Sequence, residues 1–157
     1  MERRSQAFLA LGKPQSAVAD FSAAIKLEPS RFDLLAARAD AYAMADLGEL
    51  ALRDYDAVLA MSGGSPLYVM FDNDRAKLLA KRAFTFVRLH RFDRATADMV
   101  TAIGLGGVPA ILRAQVLLRR QGFADLPLDG HDSPALRKAL TACFGLDVCF
   151  QGIMRAI

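Results

Sequence analysis

Tryptophan is absent from this 157-residue chain, and cysteine and histidine occur only twice each. So little cysteine excludes a disulfide-dense scaffold. Cys143 and Cys149, six residues apart, lack the further ligands that a zinc site requires. Six prolines and eleven glycines leave little material for long irregular loops. Val, Ile and Thr together number 17, against 50 for Ala and Leu. β-Branched side chains fit pleated sheets, whereas Ala and Leu lose little entropy in a helix, so the balance predicts an all-α fold. The uncharged stretch Met99 to Leu112 is too short to cross a bilayer and is broken by Gly104, Gly106, Gly107 and Pro109. No membrane span is expected. Met1-Glu2-Arg3-Arg4-Ser5 leads into an amphipathic pattern, not the apolar core of a signal peptide. The compartment is left unknown: cytoplasmic from this chain alone, periplasmic if a signal peptide precedes Met1 in a longer protein.

Charge of one sign is also lacking. Twenty basic and 17 acidic residues leave a net charge of +3, with the signs interleaved along the chain. A nucleic-acid footprint needs basic residues gathered on one face, so no nucleic-acid partner is expected. Catalytic constellations are missing as well. His90-Arg91-Phe92-Asp93 has the look of a kinase catalytic loop but no Gly-rich loop accompanies it, and it reads as a turn. Asp129-Gly130-His131-Asp132 offers ligand-type residues too close in sequence to converge on one ion. Gly104-x-Gly106-Gly107 follows a helical pattern, not a strand, and reads as a helix C-cap and linker, not a phosphate cradle. No catalytic residue, metal site or cofactor is assigned, and the chain is read as non-enzymatic.

What the chain does contain is a repeat. Ser5-x-x-Phe8, Ala39-x-x-Tyr42 and Ala83-x-x-Phe86 each place a small residue three before an aromatic. Ala17, Ala51 and Ala95 follow nine residues after the aromatic. Phe21, Tyr55 and Met99 come four later, then Ala24, Val58 and Ala102. Steps of three and four lie on one helix face, so each copy predicts two helices split by a short turn near Gly12, Gly48 and His90. The expected pairs are 2–11 with 15–28, 32–45 with 48–61, and 74–89 with 93–104. The aromatics lie 34 and then 44 residues apart, which puts an insertion at 62–75. That insertion is either a loop or an extra turn of the following helix, capped by Asp72 or Asn73. One helix pair cannot cover its own apolar face, so the pairs are expected to stack.

The pattern resembles the tetratricopeptide repeat (TPR), most fully in the first copy through Phe8, Leu11, Gly12, Ala17, Phe21, Ala24, Leu27 and Pro29. The resemblance covers about residues 1–107, as copies 1–31, 32–65 and 74–107. It implies a helix–turn–helix solenoid of three repeats, the first truncated, with a C-terminal helical hairpin. Met1 falls inside the first helix of that pattern, and the chain is therefore expected to be the tail of a longer protein. TPR proteins bind a peptide or partner segment along the first helix of each pair. The groove positions implied here are Gln6, Leu9 and Ala10, then Asp33, Ala37, Asp40 and Met44, then Lys77, Lys81, Phe84 and Arg88. Only Lys77 and Lys81 match the carboxylate clamp of some relatives, so no such clamp is expected.

Residues 108–157 form a second region. Gln121-Gly122-Phe123, Leu128-Asp129-Gly130 and Ser133-Pro134-Ala135 predict a helix over 109–121, a turn, and a second helix over 134–143 capped by Ser133. This stretch resembles a small peptidoglycan-binding-like helical module, although Phe144-Gly145-Leu146 departs from that pattern. The resemblance implies peptidoglycan as an alternative ligand and a cell-envelope protein as the alternative function. A helical hairpin that merely caps the solenoid fits the same residues. Cys143 and Cys149 face apart on a continuous helix. They form a disulfide if the chain bends at Gly145, and are otherwise two buried thiols.

Overall fold

The computed structural model describes residues 2–64 and 72–146, together with Cys149, Gly152 and Ile153. Among these residues the chain is all-helical, with eight helices and no strand. They are α1 (Glu2–Ala10), α2 (Pro14–Leu27), α3 (Phe32–Met44), α4 (Gly48–Gly64), α5 (Asp72–Arg88), α6 (Phe92–Leu105), α7 (Gly107–Arg120) and α8 (Pro134–Phe144). The chain divides into two compact units, Met1–Met70 and Phe71–Ile157.

In the first unit α1 packs on α2, α2 on α3 and α3 on α4. Its core gathers Ala17, Phe21, Leu34 and Ala41, against which Phe8, Leu9 and Ala37 pack. In the second unit α5 packs on α6, and α6, α7 and α8 pack on one another. The hydroxyls of Thr96 on α6 and Thr141 on α8 share a hydrogen bond of 2.8 Å.

The repeated positions are the interior ones. Ser5, Ala39, Ala83, Ala17, Ala51 and Ala95 are all fully buried, as are Phe21, Tyr55 and Met99 within about one percent. Small side chains at these points let two helix backbones approach, and the large residue one turn later fills the space beside them. The motif residues Leu11 and Leu27 behave otherwise: each is about 70% exposed.

The turns also repeat, at the level of the backbone. Gly12, Asp46, His90 and Gly122 adopt positive φ of 67°, 61°, 57° and 104°. In each case the next N–H donates to the carbonyl five residues back: Lys13 to Phe8 (2.8 Å), Leu47 to Tyr42 (2.9 Å), Arg91 to Phe86 (2.8 Å) and Phe123 to Leu118 (3.2 Å). This is the Schellman closure, which satisfies carbonyls left open at a helix end. The turn of the second copy therefore pivots on Asp46 and not on Gly48, which instead opens α4. Asp and His are among the few side chains that enter the left-handed region readily.

Two boundaries differ from those read in the sequence. The insertion at 62–75 is helical at both ends, since α4 runs on to Gly64 and α5 starts at Asp72; residues 65–71 lie outside the described residues. Asp72 and Asn73 therefore lie inside the first turn of α5. The expected linker after Leu105 is a single residue, because Gly106 ends α6 and α7 begins at Gly107. A Cβ on Gly106 would come within 2.6 Å of the Ala110 Cβ, so no side chain fits between the two helices.

Cys143 and Cys149 are joined in a disulfide with 5.3 Å between their Cα atoms, and both are buried. The bend that permits it lies where expected: α8 stops at Phe144, and the Leu146 N–H turns back to the Cys143 carbonyl at 2.9 Å.

Candidate functional site

A second layer of the repeat consists of charges. Arg4, Arg38 and Arg82 stand four residues before the three aromatics, and Asp20, Asp54 and Asp98 three residues after the three alanines. Each arginine donates two hydrogen bonds to its aspartate: Arg4 to Asp20 (2.6 and 2.6 Å), Arg38 to Asp54 (2.7 and 2.8 Å) and Arg82 to Asp98 (2.7 and 2.6 Å). The forks join the first helix of each pair to the second. The Arg4 fork holds the Asp20 carboxyl below its ordinary range and raises the guanidinium. Arg38 also reaches the Ser22 hydroxyl on α2 at 3.2 Å and lies 5.6 Å from the Tyr42 ring centre, and Arg82 lies 5.9 Å from that of Phe86. Interleaved signs along the chain do not by themselves reveal these pairs. Their signal is the register: the arginines keep the same 34- and 44-residue spacing as the aromatics.

The groove positions fall into two groups. In the first unit Gln6 and Met44 are exposed, whereas Leu9 and Ala37 pack against the core. Asp33 is exposed but held by the Arg31 guanidinium at 2.7 and 2.5 Å, which keeps its carboxyl below the usual range. Asp40 accepts the Tyr55 hydroxyl at 2.7 Å. Burial first, and Asp40 second, push that phenol upward, so it stays protonated. Asp40 is thus part of the α3–α4 hairpin.

In the second unit Lys77, Lys81, Phe84 and Arg88 are all exposed on α5. Steps of four, three and four place them along one stripe. Lys77 lies 3.9 Å from Asp74, and the Arg88 guanidinium lies 5.9 Å from the Phe84 ring centre. Phe84 is 38% exposed, an aromatic face among three cations. The opposite side of α5 carries Leu78, Leu79, Ala83 and Phe86 into the core, so the stripe is not needed to hold the helix.

The loop between α7 and α8 is pinned from beneath. Gln115 on α7 is fully buried; its amide nitrogen donates to Asp129 Oδ1 (2.8 Å) and the His131 carbonyl (3.3 Å), while its oxygen accepts the Gly130 N–H (3.0 Å). The His131 N–H also donates to Asp129 Oδ1, at 3.0 Å. That backbone bond, then the Gln115 amide, hold the Asp129 carboxyl below its ordinary value. Gly130 turns with φ 69°, and a Cβ there would come within 2.6 Å of Val108 Cγ1. Ser133 caps α8, its hydroxyl oxygen accepting the Leu136 N–H at 3.2 Å, with Pro134 next. Asp132 is engaged by Arg137. Among the described residues no group of three His, Cys, Asp or Glu side chains is placed to hold a metal ion.

A group with a lowered folded pKa stabilises above its unfolded value, near 3.9 for Asp, and that stability is lost as pH falls through the folded value. Asp129→Asn keeps an oxygen for both bonds but carries no charge. The acid limb of the stability curve, below about pH 4, is expected to be shallower in this variant. Chemical denaturation across the pH range checks it; parallel acid limbs would show that Asp129 contributes nothing there.

No helix of the described residues is long and apolar enough to cross a membrane. No family model, curated protein or solved structure matches the chain.

Proposed function

We propose that this chain is a non-enzymatic, tetratricopeptide-type interaction module that docks a peptide or partner segment along the first helices of its repeats. The periodic small residues, the recurrent Schellman turn and the Arg–Asp fork in every copy support the repeat reading. The observation that carries the function is the α5 stripe: Lys77, Lys81, Phe84 and Arg88 are exposed on the helix face opposite its core residues. Cations beside an exposed aromatic suit an acidic segment with an apolar residue among its carboxylates.

Charge reversal tests it. Fluorescence anisotropy with acidic, leucine-containing peptides is expected to show binding that falls at least about tenfold in Lys77→Glu/Lys81→Glu, with helical content unchanged. Exposed charges contribute little to stability, about 0–1 kcal/mol per pair, but they set partner choice. Arg53→Glu/Arg113→Glu, exposed on other helices, is the matched control and is expected to bind as wild type. Equal loss from both double variants would reduce the effect to general charge attraction.

One observation favours a second reading, a cell-envelope protein whose C-terminal module contacts peptidoglycan. The Cys143–Cys149 disulfide suits an oxidising compartment. Cosedimentation with insoluble peptidoglycan, undiminished by Lys77→Glu/Lys81→Glu, would select it.

A further inference from the structure

A pocket of about 330 Å³ opens between the 122–126 loop and α8. From α8 it is lined by Ala135, Ala139 and Ala142, at steps of four and three, with Lys138 beside them. Phe123 and Leu126 supply apolar surface from the loop. Two charges of opposite sign line the same pocket, Asp125 from the loop and Lys138 from α8.

The other two carboxylates of the loop are engaged, Asp129 by Gln115 and the His131 N–H and Asp132 by Arg137. Among the described residues neither Asp125 nor Lys138 makes a hydrogen bond or ion pair, with each other or with another side chain. A carboxylate and an ammonium that line one apolar-walled pocket without meeting are complementary to a ligand with an ammonium, a carboxylate and a short apolar part between them.

We propose that this pocket binds a short zwitterionic peptide with small side chains, its carboxylate on Lys138 and its amino group on Asp125. The site is separate from the α5 stripe, and it does not depend on the reading of that stripe.

The test is an NMR titration of the full chain with alanyl-alanine, N-acetyl-alanyl-alanine and alanyl-alanine amide. Alanyl-alanine is expected to bind with a Kd in the millimolar range and to shift the amides of 122–126 and of Ala135, Ala139 and Ala142, leaving α1–α4 unmoved. Each blocked peptide removes one charge and is expected to bind about fivefold more weakly. The variants then cross over. Asp125→Asn loses the preference for a free amino end and keeps that for a free carboxylate; Lys138→Gln does the reverse. Both side chains are exposed, and both variants are expected to melt as wild type. Equal affinity for the three peptides, shifts spread over α1–α4, or no pocket shifts at about 20 mM peptide would each overturn the proposal.

Discussion

Arg82→Met is expected to destabilise the second unit by about 3–5 kcal/mol. The Asp98 side chain is 9% exposed, and two bonds from Arg82 on the partner helix meet its charge. Removing the cation strands a carboxylate in a low-dielectric interior, which costs more than the pair contributed while intact. A thermal melt followed by circular dichroism is expected to shift down by about 10 °C or more. Arg82→Lys is expected to recover only part of the loss, because an ammonium cannot present the two parallel donors. Arg82→Met/Asp98→Leu is expected to recover most of it, since two apolar groups leave nothing unpaired. A melt of the single variant indistinguishable from wild type would show the fork to be ornamental. Arg4 makes the contrast: its side chain is 63% exposed, so Arg4→Met is expected to fall well short of Arg82→Met.

The second large effect is expected at Gln115. Gln115→Leu removes three hydrogen bonds at once and leaves the buried Gly130 N–H without its acceptor. An unmet buried donor alone costs about 1–3 kcal/mol, and the loss of the paired carboxylate contact raises the expected total to about 2–4 kcal/mol. Hydrogen exchange gives the sharper readout: the Gly130 and His131 amides are expected to exchange much faster, while those of α1–α4 keep their rates. Gln115→Glu retains the acceptor for Gly130 but sets a second carboxylate against Asp129, and is expected to be at least as damaging near pH 7. Unaltered exchange at Gly130 in Gln115→Leu would mean that the loop is held by its own turn and not from below.

Helix positions were legible because apolar periodicity and caps act over short distances. Ser133-Pro134 marks the start of α8, and Gly12 and Gly122 mark turns through a conformation glycine enters freely. The turn at Asp46 was not legible because Gly48, two residues on, gives the stronger local cue. The Arg–Asp forks escaped for a different reason. Sixteen residues separate the partners, so no i, i+4 rule connects them, and only comparison between copies brings them out. Leu9 and Asp40 have partners that no local pattern announces: half-buried Leu9 packs against the Phe21 core, and half-buried Asp40 accepts the Tyr55 hydroxyl. The exposure of Lys77, Lys81, Phe84 and Arg88 on α5 follows from their register, which is offset from that of the buried Leu79, Ala83 and Phe86. Asp125 and Lys138 were not legible, since sequence does not distinguish a paired charge from an unpaired one.

The forks also bear on how such a chain can grow. Each closes within a single hairpin, from Arg4 to Asp20, Arg38 to Asp54 and Arg82 to Asp98. A tandem duplication of 34 residues, the spacing of Phe8 and Tyr42, therefore copies the lock whole, with both halves in the same inherited segment. No neighbouring copy has to change to receive it, and decay of one lock leaves the others working. Selection can then lengthen, shorten or diversify the array one hairpin at a time, with each newcomer already ionically complete.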